Sequence, residues 1–600
     1  MRPTHFSVLI LLAAILVACG GNDGTNGGET ASLEPGPDEN GFFDRAPFAG
    51  MTFRNHTGKD EKKDYIVEAK GGGALVLDYD LDGDVDIYVV DGNHYKVGPD
   101  GSVVSRTDHA EAYNRLLRND GNWKFTDVTE ESGLGDRSYG FGGTVGDYDN
   151  DGDPDIHVCN WGPNKLYRNN GDGTFTDVTD QAGVAGGPKL HDYYSTGSCL
   201  FDADDDGDLD LYEANYNHMS EFIEKTKGNG RTAPWRGIPV YAGPFGIRAA
   251  MDRFYRNNGD GTFTDETKTA LRNQHARYAF TPVVSDFDRD GDLDLYVSND
   301  VCDNTMWIND GKGVFTDMGL ETSTAMNSAT SKQASMGNDS VDYDQDGWPD
   351  IYITNFSHDT NTLYRNIAGE MKDGSLMFDE VTERAGLAAG DFIKVCWGAK
   401  FQDFDLDGYM DLFVAAGHVY PEINLFEKKV GTTYKQVPTL WRNGGPPRWK
   451  FEDISDRGGS GFEKPRCGRA ACFADFDNDG DMDVYIAGLN DTPLLLENRL
   501  PREGNFLMVS LAGKSRDRDA IGARVTVEAG GGKIVQMQEM RLVASFIGTN
   551  DPRLHWGVGK SSKIDRLTVE WRGGEKQVFE GLEANHLYHV EEGGEPVKVW

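Results

Sequence analysis

At 600 residues the chain has room for about four domains of ordinary size, unless internal repeats override that prior. Its 99 acidic residues against 59 basic ones give a formal charge of −40, which excludes nucleic acid as a partner because phosphate binding needs basic patches. Seven divalent cations, one for each acidic loop described below, would add +14 and still leave −26.

The chain opens with Arg2, an apolar stretch from about Phe6 to Ala18, and Cys19. A run this short is a signal-peptide core rather than a membrane span. The tetrad Leu16-Val17-Ala18-Cys19 resembles a bacterial lipobox, in which the signal is cut before the cysteine and that cysteine is lipidated. Residues 1–19 are therefore expected to be a lipoprotein signal peptide with Cys19 as the lipidation site; the alternative is an ordinary cleavable signal with an incidental cysteine. Residue 20 is Gly rather than Asp, so the usual inner-membrane retention signal is missing, which by resemblance favours the outer membrane or cell surface of a Gram-negative bacterium. Residues 20–41, rich in Gly, Asn, Asp and Glu, read as a flexible acidic tether. No later apolar run is long enough to span a bilayer, so membrane contact is expected through the N-terminal lipid only.

From residue 42 to 502 one acidic motif recurs seven times. Its copies carry Asp78, Asp80, Asp82, Asp84 and Asp86; Asp147, Asp149, Asp151, Asp153 and Asp155; and Asp202, Asp204, Asp206, Asp208 and Asp210. They continue with Asp286, Asp288, Asp290, Asp292 and Asp294; Asp342, Asp344, Asp346, Trp348 and Asp350; Asp403, Asp405, Asp407, Tyr409 and Asp411; and Asp475, Asp477, Asp479, Asp481 and Asp483. Two unit charges about 4 Å apart in a partly exposed site repel by roughly 4 kcal/mol, so a cation is expected among them. Aspartates at loop positions one, three, five and nine, with a backbone carbonyl at seven, offer a hard divalent ion only oxygen, which favours calcium at about seven structural sites. The glycine at position six permits the sharp turn that folds the early carboxylates together. An EF-hand makes the same opening but needs Glu at position twelve and flanking helices. Position twelve is Val or Ile in six copies and Glu213 in one, and a β-like alternation follows each loop.

A second element, "NKLYRNNGDGTFTDVTDQAGV" from Asn164, has relatives at Asn114, Arg253, Asn304, Asn361 and Thr439. Its Gly-Asp-Gly and Asn-Gly turns separate β-prone runs, so each unit reads as several short antiparallel strands and the array as a β-propeller with insertions. The piece Phe175, Asp177, Ala182, Gly183, Val184 is missing after the last loop and appears instead before the first, as Phe42, Asp44, Ala49, Gly50 and Met51. An N-terminal strand completing the last blade would seal the ring, and seven blades are expected. The long insertion from Tyr216 mixes Trp235, Tyr241 and Phe245 with Lys225, Lys227, Arg231, Arg236 and Arg248. It reads either as a recognition surface, whose rings can stack on sugar faces, or as a loop packing over the rim.

Residues 503–595 have another texture, "FLMVSLAG", "ARVTVEAGG" and "RLTVEWRGG", expected to form a separate antiparallel β-sandwich with its own core. The stretch "GVGKSS" at Gly557 fails as a phosphate loop because Leu554 stands where the first glycine belongs. Of the six later cysteines, Cys159, Cys199, Cys302, Cys396, Cys467 and Cys472, the last two are the best candidates for a disulfide, though the irregular spacing gives no framework. Without CxxC pairs or His partners no zinc site is expected.

The aspartate loops resemble integrin-type FG-GAP (VCBS) calcium loops, and "AIGARVTVEAGG", "RLHWGVG" and "LTVEWRGG" resemble an ASPIC/UnbV domain. With "WGAKFQDFDLDGYMDLFVAAG" and "YAGPFGIRAAMDRFYRNNGDGTFTD", the chain resembles bacterial members of the cartilage-acidic-protein family over about residues 42–592. The resemblance implies an all-β, calcium-loaded, seven-bladed integrin-type propeller followed by a small β-domain, outside the cytoplasm. The chain departs from that pattern twice. Ala242 stands where relatives often carry cysteine, and Trp571-Arg572-Gly573-Gly574 where they usually read Trp-Pro-Ser-Gly.

No HExxH or GxSxG element is present. The expectation is a non-enzymatic, calcium-stabilised surface lipoprotein acting as a binding or adhesion module for an extracellular protein or polysaccharide. The alternative is an exported enzyme working on a polymer in the propeller's central depression, with His191 (beside Asp192, Tyr193 and Tyr194) or His418 (beside Tyr420 and Glu422) essential to turnover. A third class, a structural partner in an outer-membrane assembly, would show as stable co-purification.

Overall fold

The computed structural model describes residues 40–60, 62–186, 194–514 and 516–600. The expected signal peptide, Cys19, nearly all of the tether and His191 lie outside the described residues.

Among the described residues of 41–499, seven sheets make up the repeat, six of four strands and one of five, beside two small two-stranded hairpins. In the first, Gly73–Leu77, Asp86–Val90, Arg115–Asn119 and Phe125–Asp127 run antiparallel in that order. The two inner strands, "GALVL" and "DIYVV", are buried at every residue, so the strand expected after the loop is present but its faces do not alternate between core and solvent. The outermost strand buries only its phenylalanine. The innermost strands Gly73–Leu77, Gly140–Gly146, Ser195–Phe201, Ala279–Ser285, Asn338–Val341, Cys396–Gln402 and Gly468–Ala474 each pack on the next, and the last packs on the first. The sheets form a closed ring.

The seam lies where the displaced sequence piece predicted it. Gly41–Asp44 pairs antiparallel with Leu494–Arg499, Phe42 opposite Asn498. Phe42 is 1% exposed and its ring sits 5.7 Å from Phe404 and 5.8 Å from Phe413. The last sheet thus receives its fourth strand from the other end of the chain, and a free sheet edge is removed.

Residues 506–598 form two four-stranded sheets. One pair, Phe506–Ala512 with Leu587–Glu591, is parallel, in contrast to the wholly antiparallel expectation. The expectation of a separate core also fails, because Val525, Val527, Leu567 and Trp571 share one hydrophobic cluster with Leu200, Leu209 and Leu293 of the third and fourth propeller sheets. Two small sheets of some 90 residues enclose little interior of their own, so apolar surface is buried against the ring instead.

Between its strands this region sends Leu542–Asn550 into the ring's axis. Ser545 and Asn338 exchange backbone hydrogen bonds of 2.7 and 2.8 Å, and Gly548 bridges to Ala74. Ser545 Oγ donates to the Ala471 carbonyl at 2.7 Å, and Thr549 Oγ1 accepts from the Val76 N–H at 2.9 Å. Phe546, 1% exposed, lies 4.8 Å from the Trp397 ring and 5.7 Å from that of Phe280. The fit leaves no room for side chains on the ring side: a Cβ on Gly142 would stand 2.5 Å from Ile547, and one on Gly337 2.6 Å from the Ser545 carbonyl.

All six described cysteines are free. Cys467 and Cys472, the expected pair, are five residues apart along an extended segment, roughly 16 Å at about 3.3 Å per residue, whereas a disulfide needs Cα atoms within about 7 Å.

Candidate metal centres and the axial cavity

Each aspartate loop joins the first strand of a sheet to the second, so all seven lie on one face of the ring. Their local geometry repeats. The position-one carboxylate accepts the N–H of the position-six glycine in every loop, at 2.8–3.2 Å, which draws the loop back over itself. Position nine starts the second strand and is held at both oxygens: Asp86 accepts from the Tyr79 N–H at 3.2 Å and from the Asn119 N–H at 2.7 Å. Positions one, three and nine meet in at least four loops, as Asp78, Asp80 and Asp86; Asp147, Asp149 and Asp155; Asp286, Asp288 and Asp294; and Asp342, Asp344 and Asp350, their ligand atoms within 4.8 Å of one another. In the third loop the group is Asp202, Asp204 and Asp206.

The fifth position contributes elsewhere in most loops. Asp82, Asp151, Asp290, Asp346, Asp407 and Asp479 each accept the N–H of position seven, and so does Asp206. Position-seven side chains turn away, Asp84 towards Asn478 Nδ2 at 2.6 Å and Asp208 towards Asn150 Nδ2 at 3.0 Å, while Trp348 lies under the Arg289 guanidinium and Tyr409 against Trp449. Glu213 is buried inside its strand, accepting from Ser195 Oγ at 3.0 Å and Asn215 Nδ2 at 2.9 Å, and is no loop ligand.

The donor set fits a hard divalent cation. It contains oxygen alone, as calcium prefers. Oδ1 of Asp149, Asp204 and Asp344, all at position three, is buried without a hydrogen-bond partner. Burial pushes Asp86 and Asp155 up to about 9, with neighbouring aspartates adding to it and backbone N–H bonds working the other way. A bound cation would remove that penalty.

Two recurring residues of the "RN" dipeptide complete the loops, and the sequence reading passed over both. The asparagine ending each third strand donates its Nδ2 to the position-two carbonyl of the preceding loop: Asn119 to Phe476 (2.8 Å), Asn169 to Tyr79 (2.9 Å), Asn257 to Tyr148 (2.8 Å) and Asn309 to Ala203 (2.8 Å). Asn366 to Phe287 (2.9 Å), Asn443 to Tyr343 (3.4 Å) and Asn498 to Phe404 (3.0 Å) close the circle. The arginine before it supplies partial counter-charge in some loops, as Arg256 does to Asp204 (3.0 Å) and Asp210 (2.6 Å) and Arg442 to Asp405 (2.7 Å). Replacing Asn169 by Ala orphans the Tyr79 carbonyl and should cost about 1–3 kcal/mol, read as a lower urea midpoint with unchanged slope; an unchanged midpoint would deny the ring any part in stability.

The C-terminal region rests on this same face. Arg524 Nη2 reaches Asp286 at 2.8 Å, Arg572 donates to the Asp202 carbonyl at 2.6 Å, and Arg553 to that of Asp475 at 2.9 Å. The Asp147 N–H donates to Asp519 at 2.8 Å.

On the opposite face, where second strands lead to third, the insertion folds back over the axis. Its helix Met219–Lys225 buries Met219, Phe222 and Ile223. A hairpin, Thr232–Trp235 with Ile238–Tyr241, turns at Arg236 and Gly237, both at positive φ. The segment packs down over the rim, as one of the two sequence readings has it, and it also walls a cavity of about 350 Å³. Trp235, Tyr241 and Phe245 line it with Phe356 and Tyr420. Lys70 and Asp300 lie at its base, Nζ to Oδ2 3.5 Å apart. The Lys70 ammonium is ringed by Phe280 (4.4 Å), Trp397 (5.0 Å) and Tyr216 (5.6 Å), and burial pushes it down to about 8.

His418 stands behind the cavity wall, 0% exposed, its ring 5.1 Å from Trp235. Its Nδ1 accepts the Tyr420 N–H at 3.1 Å, and burial together with Arg469 pushes it down to about 3. Burial raises Glu422, which is only half-buried. Lys70, Asp300 and Phe356 had no sequence signal, because they come from separate connections that only the ring brings together.

No helix among the described residues is long and apolar enough to cross a membrane. A comparison with curated proteins gives no match. Among solved structures, an Agrocybe aegerita protein studied for specific recognition of non-reducing terminal N-acetylglucosamine shares 16% identity over 72% of this chain and 90% of its own, with a TM-score of 0.34. The rhamnogalacturonan lyase YesW shares 11% over 74% of this chain and 91% of its own, with a TM-score of 0.28. At these scores neither likeness bears on ligand or chemistry. The FG-GAP-like repeat pattern matches residues 78–158, 147–213, 240–297, 342–414 and 403–486, and the ASPIC and UnbV pattern matches 513–597. With seven acidic loops on a closed ring of sheets and those matches over more than half its length, the chain belongs to the FG-GAP-like repeat family and carries a C-terminal ASPIC and UnbV domain.

Proposed function

We propose that the protein is a calcium-stabilised, lipid-anchored module outside the cytoplasm that holds a segment of extracellular polysaccharide in the axial cavity without cleaving it. FG-GAP-like repeat proteins are typically extracellular or exported, which agrees with the N-terminal signal and the lipobox at Cys19. Calcium is the ion that suits loops built from aspartate oxygens, and extracellular calcium modules bind at roughly 0.1–1 mM.

The observation that carries the reading is the convergence of Trp235, Tyr241, Phe245, Phe356 and Tyr420 on one open cavity at the ring's axis. A concave site of mostly apolar wall with a few placed polar groups has the make-up that small-ligand sites generally share. Flat aromatic faces match the C–H face of a pyranose, while its hydroxyls need donors and acceptors such as Lys70 and Asp300. Phe245 is 69% exposed, a cost that a ligand would remove.

Turnover is not favoured by the groups present. Asp300 accepts from the Tyr216 hydroxyl at 2.5 Å, and Asp359, also in the lining, accepts from Gln333 Nε2 at 2.9 Å. His418 is held neutral behind the wall.

The test is retention of a polysaccharide panel on the immobilised protein in about 2 mM calcium, above the expected dissociation constants, with Trp235→Ala beside it. Retained, unshortened polymer and at least a tenfold loss with Trp235→Ala, circular dichroism unchanged, are expected. Retention indifferent to Trp235, capture of a protein instead, or shortened polymer in the flow-through that vanishes with His418→Ala, would overturn the reading.

A further inference from the structure

The charges beneath the cavity do not balance. Three cations are buried there: Lys63 and Lys70, 1% and 5% exposed, and Arg469, 0% exposed. Among the described residues two buried carboxylates, Glu68 and Asp300, and the exposed Asp60 face them. Arg469 gives its N–H groups to the carbonyls of Ala69, Gly417, Gly468 and His418 and stacks 4.2 Å over Trp397. Among the described residues no carboxylate lies within ion-pairing distance of it. Lys63 donates to the Thr57 carbonyl at 2.7 Å, and Glu68 is engaged by the Tyr95 hydroxyl at 2.6 Å. Lys70 alone of the three lines the cavity, and among the described residues its one hydrogen-bond partner is Asp300, at 3.5 Å.

A buried charge without a partner is costly, and proteins pair such charges or supply them with a ligand of opposite sign. At the rim, Lys332 lines the cavity, paired with Asp303 at 2.9 Å, and Arg231 lies beside Gly246, next to Phe245. Asp359 lines the cavity as well, engaged by Gln333 Nε2 at 2.9 Å, so at the mouth basic groups and carboxylates are matched and the surplus of positive charge lies at the base.

Resting on the reading of the cavity as a polysaccharide site, we propose that its ligand is an acidic polysaccharide, with one hexuronate carboxylate seated on the Lys70 ammonium and the sugar ring against the aromatic wall. The neighbouring Asp300 limits the ligand to a single negative charge at the base. A carboxylate suits that place better than a sulfate cluster, which would call for several cations at the base, where one lines the cavity.

The probes are a uronic acid trisaccharide and the same trisaccharide with its carboxylates reduced to primary alcohols, titrated calorimetrically into the calcium-loaded protein. The acid is expected to bind at least tenfold more tightly, and the gap to narrow as salt rises. Lys70→Met should bring the two probes within about twofold of each other, the acid losing far more affinity than the neutral probe; should that variant not fold, the wild-type comparison and its salt dependence decide. Equal binding of both probes overturns the acidic preference and leaves the polysaccharide reading standing. Binding of neither probe overturns both.

Discussion

Chelation of divalent metal is expected to lower the melting temperature of the protein by about 7 °C, with recovery on adding calcium and little on adding magnesium. A site that binds only the folded chain contributes RT ln(1 + [L]/Kd), about 1.2 kcal/mol at ~2 mM calcium for a Kd near 0.3 mM, so seven such sites together approach 8 kcal/mol. That is of the order of a whole domain's stability. The physical source is visible in the loops: Asp86 and Asp155 are pushed up to about 9 by burial and crowding when no cation is near. Magnesium should fail because it holds its waters and demands octahedral geometry. A melting temperature indifferent to chelator would remove calcium from the account. Asp155→Asn should delete one site and give a fraction of the full shift.

The second large effect is expected at the axis. Phe546→Ala should cost about 3–5 kcal/mol, since it empties a fully packed aromatic site. Phe546 touches Trp397 and Phe280, which belong to different sheets, so the loss should appear both as a lower urea midpoint and as a changed near-ultraviolet dichroism. Val578→Ala, on a side chain 48% exposed, serves as the control and should stay within about 0.5 kcal/mol. Equal effects at the two positions would mean that the axial segment does not anchor the C-terminal region.

The spacing of the aspartates carried most of the fold. Their recurrence pointed to a β-propeller of repeated antiparallel sheets, and the displaced Phe42–Met51 piece gave the seam, because both depend on local strand and turn chemistry. What escaped were features made by closing the ring. Asn169 and its six counterparts recur as visibly as the aspartates, yet carry no charge that demands explanation, and their partners are in the neighbouring sheet. The run "LVASFIGTN" looks like one more short apolar strand; nothing local says that it leaves its sheet for the axis. Lys70 and Asp300 are 230 residues apart in sequence. The aromatic wall was half legible, since Trp235, Tyr241 and Phe245 stood out in an acidic chain, whereas Phe356 and Tyr420 arrive from other sheets.

The seam also sets the order in which the molecule can be built. Arg45 and Glu497, joined across it at 2.9 Å, are 452 residues apart, and closing so long a loop costs about 5 kcal/mol in chain entropy. During synthesis Gly41–Asp44 must wait for nearly the whole propeller before its partner strand exists, and the axial segment comes later still. Until then Gly41–Asp44 is a strand without its partner, and the last sheet, once made, presents an open edge at Leu494–Arg499 until the two meet. Assembly is therefore late, slow and collective, and the half-made chain, rather than the finished one, is where aggregation begins.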